Sequence, residues 1–276
     1  MKENNHQPPL QIDIEQIIAA KNPRLARLLP RFILHYIKRV IHENEVNYVL
    51  RTYADKTGLV FVEAVLSYFN ITIKTSGEEN IPTDGKYIFA ANHPLGGIEG
   101  MALLQVVSHH NREVRFVVND ILTNLKNYEP LFIPVNKHGK YSKEYAQIIE
   151  DTFHTSAWIL YFPAGLVSRK VKGKIMDLEW KKSFISKSVQ HKRDIIPVYI
   201  EGKNSNFFYN LSRLRTFLGI KANIEMFYLP DEMFRQKNKT ITLHFGKPVS
   251  HTLFDNSKTP LEWAAYMKER VYSMGR

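Results

Sequence analysis

The chain has 276 residues, 44% of them apolar, with 38 Lys and Arg against 27 Asp and Glu, a formal net charge of +11. The apolar share supports a sizeable core in one large domain, or in one domain with a small appendage, and excludes wholesale disorder. The absence of cysteine removes disulfides, thiolate metal sites and any acyl-thioester on the protein itself, while the positive balance points to an anionic partner: nucleic acid, membrane surface or phosphorylated substrate.

Residues 1–12 read as a loose polar tail without a signal peptide. Residues 13–70 read as helical throughout. Leu25, Leu28, Leu29, Phe32, Ile33, Tyr36, Ile37, Val40 and Ile41 follow the spacing of one helix face, and Arg24, Arg27, Arg31, Lys38 and Arg39 fall largely on the other. Pro30 starts or kinks a helix there, since it has no N–H to donate. No uninterrupted run of 18 apolar residues occurs; the stretch from Leu59 to Ile73 contains Glu63, Ser67 and Asn70 and reads as a helix followed by a strand.

From residue 71 the pattern changes. Predicted strands are Tyr87–Ala91, Val114–Val118, Ala157–Phe162, Ile195–Ile200, Ile224–Phe227 and Thr240–Phe245; predicted helices are Ile98–Ser108, Ser142–Phe153, Leu178–His191, Phe207–Leu218 and Pro260–Met274. This alternation implies an α/β fold, with a mostly parallel or mixed central sheet flanked by helices and an N-terminal helical leader. The boundary falls near Gly77, Pro82 and Gly85, which divides the chain into a leader, 1–70, and an α/β domain, 71–276.

Four segments carry candidate chemistry. The first, Asn92-His93-Pro94-Leu95-Gly96-Gly97-Ile98-Glu99-Gly100, follows the first strand. It puts His93 where open α/β sheets form sites, with Glu99 close enough in sequence to fix its tautomer and stabilise its charged form. A turn histidine beside a glutamate at a helix start is the alternative. In the second, Asn119 and Lys137 are placed to orient a polar substrate, or are turn residues. The third, Phe162-Pro163-Ala164-Gly165-Leu166-Val167-Ser168-Arg169-Lys170, offers backbone N–H groups at Gly165 and cations for an anion; alone, it reads first as an ordinary strand-to-loop junction with a basic surface tip. The fourth, Ile196–Ser205, leads into the aromatic and basic stretch Phe207–Arg215, which suits a membrane interface, single-stranded nucleic acid or plain core packing. No clustered metal-ligand spacing, phosphate-binding glycine motif or GxSxG elbow is present, so no metal and no cofactor is expected.

In order, Asn92–Glu99, Phe132–Lys137, Phe162–Arg169 and Ile195–Val198 resemble the blocks of the lysophospholipid acyltransferase superfamily (the 1-acylglycerol-3-phosphate acyltransferase family): NHxxxxD, a block with a substrate-binding Arg or Lys, FPEGTRS and a VPV-like strand. The resemblance spans roughly residues 70–250. Asn92–Gly100, Phe162–Gly165 and Gly202-Lys203-Asn204-Ser205 are similar to the NHPLGGLDG, FPAG and GxNS segments of its bacterial haemolysin-like or glycerol acyltransferase branch, whose helical leader residues 10–50 also resemble. The resemblance implies direct transfer of an acyl chain from acyl-CoA or acyl carrier protein to a hydroxyl, with His93 as general base, Glu99 orienting it, and an oxyanion hole of backbone N–H groups near Gly165. It implies substrate-binding roles for Asn92, Gly96, Gly97, Asn119, Lys137, Gly165, Ser168 and Arg169. Two departures matter. Five residues, not four, separate His93 from a carboxylate that is Glu99 rather than Asp, and Ala164 stands where the family has Glu, with Arg169 two positions late. In the family those third-block residues help hold glycerol phosphate, so their change points to another acceptor, such as a lyso-amino-acid lipid. The implied partners are an acyl-donor thioester, a lyso-lipid acceptor and an anionic membrane surface, with no nucleic acid, and the implied location is cytoplasmic, on the inner face of the cell membrane. An N-acyltransferase, or a non-enzymatic basic lipid- or nucleic-acid-binding protein, is the alternative.

Overall fold

The computed structural model describes residues 11–119, 126–135 and 142–275. The leader forms five helices: α1 (Ile14–Lys21), α2 (Pro23–Leu28), α3 (Arg31–Val40), α4 (Glu43–Thr52) and α5 (Gly58–Tyr68). The breaks follow from capping and proline chemistry. Asn22 accepts from the Leu25 N–H and Pro23 opens α2, while Pro30 stands extended at the start of α3.

A seven-stranded sheet follows, made of β1 (Thr72–Ser76), β2 (Tyr87–Ala91), β3 (Val114–Asn119), β4 (Phe132–Val135), β5 (Trp158–Tyr161), β8 (Asp194–Ile200) and β9 (Thr240–Phe245), in the order β1-β9-β8-β2-β5-β3-β4. All neighbours are parallel except β8 and β9. The β9 ladder on β8 begins at Val198, and the chain returns to pair only at Ile195 with Val249, which leaves Pro197 between them as an acceptor from Gly246; a proline has no N–H for a continuous ladder. A two-stranded hairpin, β6 (Arg169–Val171) and β7 (Lys174–Met176), stands apart from the sheet. Its two turn residues, Lys172 and Gly173, both have positive φ, as a tight hairpin turn requires.

Strand alternation sends Phe89 and Ala91 to one face and Ile88 and Ala90 to the other. The first face is covered by α4, α5 and α6 (Ile98–His110), through residues that include Leu50, Phe61, Val65 and Leu103. The second is covered by α7 (Ser142–His154), α8 (Ser183–His191) and α11 (Pro260–Ser273), through Phe153, Phe184, Trp263 and Met267. The fold is therefore an α/β/α stack, with the α/β class and mostly parallel sheet that the alternation implies, and α4 and α5 of the leader contribute to the main core.

Two predicted elements are corrected. Ile224–Phe227 is not a strand but a tight 3-10 turn, Ile224–Tyr228, leading into α10 (Leu229–Phe234). Its one fully buried residue, Glu225, is tied to two arginines rather than to a sheet neighbour. The helix expected from Leu178 starts only at Ser183, because the Lys181 N–H is used by Pro163 O, 3.1 Å away across the fold. The remaining helix, α9, spans Asn206–Phe217.

Candidate active site

β2 lies between β5 and β8, parallel to both, so the carboxyl ends of three strands meet at one edge. Open α/β sheets form their sites at this edge. Asn92 is the first residue beyond β2. Its amide accepts from the Ile200 N–H at 2.6 Å and donates to Ile200 O at 2.9 Å. It clamps the ends of β2 and β8 together, and its polar atoms are committed to that clamp rather than turned to a substrate.

His93 is held on three sides. Its N–H donates to Asp177 Oδ1 at 3.1 Å, and its carbonyl accepts from the Ser168 N–H at 2.7 Å. Its ring stacks on Phe162, with centroids 4.3 Å apart. Nδ1 lies 2.9 Å from Glu99 Oε1. An ionised carboxylate only accepts, so Nδ1 carries the proton and Nε2 is the basic nitrogen. The side chain is 16% exposed.

Glu99 is fully buried in the first turn of α6. Its Oε1 also accepts from the N–H groups of Leu95 (2.8 Å) and Gly96 (2.7 Å), and its Oε2 from that of Gly97 (2.8 Å). Burial disfavours its charge, but the His93 ring and the Gly96 and Gly97 N–H groups outweigh burial and hold its carboxyl below the usual range. The helix N-terminus favours the same charge. The turn needs glycine at 96: φ is +98°, and a Cβ there would meet the Leu229 side chain at 2.8 Å. The N–H groups of Gly96 and Gly97 thus serve Glu99, not a substrate.

The loop after β5 wraps the other side of His93. The Ser168 hydroxyl donates to Asp177 Oδ1 at 2.6 Å, behind the His93 backbone, so it is not placed as a nucleophile. The Gly165 N–H donates to Phe162 O at 3.0 Å and closes a turn; this use competes with the oxyanion role expected near it. Arg169 is buried. Its Nη2 and Nε donate to Glu225 Oε1 at 2.7 and 3.1 Å, its Nη1 donates to Val167 O at 2.5 Å, and its guanidinium lies over Phe208. Arg215 meets the other Glu225 oxygen at 2.6 Å. Arg169 therefore braces the loop from within instead of presenting its charge to a ligand. Asn119 ends β3, with its side chain outside the described residues, as is the whole of Lys137.

Asp177 is the residue that sequence reasoning missed. It is buried, and besides His93 and Ser168 it accepts from Trp180 Nε1 at 2.8 Å. Its own N–H donates to the Tyr272 hydroxyl at 2.6 Å, and its carbonyl accepts from Lys268 Nζ, also at 2.6 Å. Nothing local marks it, since it comes to His93 from 84 positions away. Asn204 is also buried, and among the described residues neither polar atom of its amide has a hydrogen-bond partner. Glu150, His154 and His191 bring possible ligand atoms within 4.8 Å of one another, but Glu150 is already paired with Lys187 and His191.

The arrangement is a buried carboxylate, an imidazole that it orients and a rigid surround, the geometry that general-base chemistry uses, and among the described residues the nearby Ser168 hydroxyl is turned to Asp177. A family model described as "Acyltransferase" matches residues 16–275. Two relatives, each called lyso-glycine lipid O-acyltransferase, are 45% identical (Bacteroides thetaiotaomicron, 95% of this chain and 97% of the relative) and 44% identical (Phocaeicola vulgatus, 95% of both). The crystal structure of the 1-acyl-sn-glycerophosphate acyltransferase of Thermotoga maritima superposes with a TM-score of 0.49 at 17% identity, covering 89% of this chain and 97% of its own.

Proposed function

This chain belongs to the lysophospholipid acyltransferase superfamily, and on that premise we propose that it moves a fatty acyl chain from a thioester of CoA or acyl carrier protein to the hydroxyl of a lyso-amino-acid lipid. The relatives' names support a glycine-based acceptor and an O-acyl product. The observation that carries the mechanism is the contact of His93 Nδ1 with the buried Glu99, 2.9 Å long. His93 Nε2 removes the proton of the acceptor hydroxyl, and the oxygen attacks the thioester carbonyl. The tetrahedral intermediate collapses with loss of the thiolate, which takes the proton from His93. Glu99 stabilises the imidazolium between those two transfers. Transfer is direct: the chain has no cysteine, and Ser168 is bonded to Asp177.

We place the enzyme on the inner face of the cell membrane. Among the described residues no helix is long and apolar enough to cross a membrane. Docking is supported by Leu28 and Phe32 of α2 and α3, 79% and 74% exposed, and by Phe217 of α9, 87% exposed. The two regions are joined where Tyr36 of α3 meets Tyr228 through hydroxyls 2.9 Å apart, with Phe207 against the Tyr228 ring. Arg24, Arg27, Arg31 and Arg213 lie in the same helices.

His93→Ala is expected to lower turnover by about 10²–10⁴-fold, the usual contribution of a general base, while circular dichroism keeps the wild-type helix and strand content and thermal unfolding stays cooperative at a lower midpoint, since the buried Glu99 loses its ring partner. Wild-type rates in a folded His93→Ala protein would remove His93 from the mechanism.

A further inference from the structure

Resting on that reading, we propose that the β6–β7 hairpin is the surface on which the donor's carrier, an acidic acyl carrier protein, docks. Both ends of the hairpin close on the His93 backbone. The Ser168 N–H, just before β6, donates to His93 O at 2.7 Å, and the His93 N–H donates at 3.1 Å to Oδ1 of Asp177, just after β7. Four residues of chain reach at most about 14 Å, so the turn at Lys172 stays within that distance of Ser168. A partner seated on the hairpin is a neighbour of the base.

The hairpin is pinned and basic. Arg169 ties it to Glu225 at 2.7 Å, and Ile175 packs against the cluster of Val167, Phe208 and Tyr209. From Ser168 to Met176 the sequence holds four cations and no acid. Arg169 is committed to Glu225. Lys170, Lys172 and Lys174 are exposed, and among the described residues none of their amines has an ion pair or a hydrogen bond.

The placement of those amines selects the partner. Lys170 stands opposite Ile175, and Val171 opposite Lys174. Cross-strand partners share a face, so Lys170 and Lys174 lie on opposite faces, with Lys172 at the turn. Amines spread over two faces and a tip do not converge on one phosphate cluster, such as the nucleotide end of CoA; they match a broad acidic surface. The hydrated point charge of lysine suits attraction at a distance more than a fixed bidentate clamp. A lipid surface is the poorer match. Val171, Ile175 and Met176 are half-buried, and the tip is Lys172-Gly173, so the hairpin lacks the exposed apolar side chains that α2, α3 and α9 carry.

The test gives the purified full chain one acyl chain on three donors, the carrier protein, CoA and pantetheine alone, with an N-acylated glycine bearing a chain hydroxyl as acceptor. Lys170→Glu, Lys172→Glu and Lys174→Glu together should lower kcat/KM for the carrier by about 10- to 100-fold at low salt, within the range of electrostatic steering, mostly through KM. The pantetheine thioester should be used as by wild type. Raising salt should narrow the gap, and arginine at the same three positions should keep the wild-type rate. An equal loss with all three donors would overturn the proposal, because the hairpin would then act only on the base; so would an unchanged carrier KM. A loss shared by CoA but not by pantetheine would assign the amines to a donor phosphate instead, and a loss of sedimentation with anionic vesicles, with the carrier KM unchanged, would assign them to lipid. A wild type that uses CoA but not the carrier would overturn the docking and leave acyl transfer standing. A wild type that uses none of the three would overturn the reading of the acceptor, and the docking with it.

Discussion

At the scale of single residues, two carboxylates hold His93 from opposite ends. Glu99 fixes the ring; Asp177 fixes the backbone N–H. In the proposed mechanism only the first touches a group that changes charge, which makes Asp177 a positioning residue in that mechanism. In Asp177→Asn, one side of the amide must face donors, either Trp180 Nε1 or the His93 and Ser168 pair. A buried mismatch of this kind costs about 1–3 kcal/mol, and a shift of the base by about 1 Å can cost up to about 100-fold in rate. We expect kcat to fall within that range and Tm to drop, while the acceptor KM holds and the pH profile keeps its shape. A change in KM alone would place Asp177 on the substrate instead.

At the scale of elements, the junction of α7 and α8 carries a pH dependence. Burial, then the nearby Lys187, His154, Arg193 and Lys86, push His191 down from 6.5 to about 4. Between those values the unfolded chain binds the proton that the folded chain refuses, so stability rises with pH there. The contribution is complete above about pH 6.5 and is lost as pH falls toward 4. His191→Gln should flatten the stability profile between pH 6.5 and 4.5, read by urea unfolding at several pH values; an unchanged slope would locate acid sensitivity elsewhere. The same scale shows what a sequence discloses. The runs YIFAA, WILY and IIPVYI are legible because strands buried on both faces have no charged positions to blur them. His93 and Glu99 are legible because their contact is local. Asp177 is not, because the β6–β7 hairpin delivers it from far along the chain. Ile224–Phe227 misleads because four residues, three of them apolar around Glu225, are too few to carry a period that separates strand from turn. Arg169 reads as an anion ligand until its buried partner, Glu225, is known.

At the scale of the molecule, the membrane docking proposed above gives the net charge of +11 a use at a lipid surface. Each Lys or Arg near an anionic membrane contributes about 1 kcal/mol, and α2, α3 and α9 add the apolar residues that such docking needs. We expect sedimentation with anionic vesicles at low salt, little with neutral ones, and release as salt rises. The double variant Leu28→Glu and Phe217→Glu should stay folded and lose vesicle binding; retention of binding would assign the docking face to another part of the surface.

The turn that Glu99 holds makes one side chain serve two structures. One carboxylate accepts from the imidazole and from three successive backbone amides, so the tautomer of the ring and the entry of the chain into α6 share a single anchor. A change at position 99 is therefore felt at both ends at once: in Glu99→Gln the amide nitrogen must face a donor, either the imidazole with the Leu95 and Gly96 amides or the Gly97 amide, and the ring and the start of the helix lose definition together.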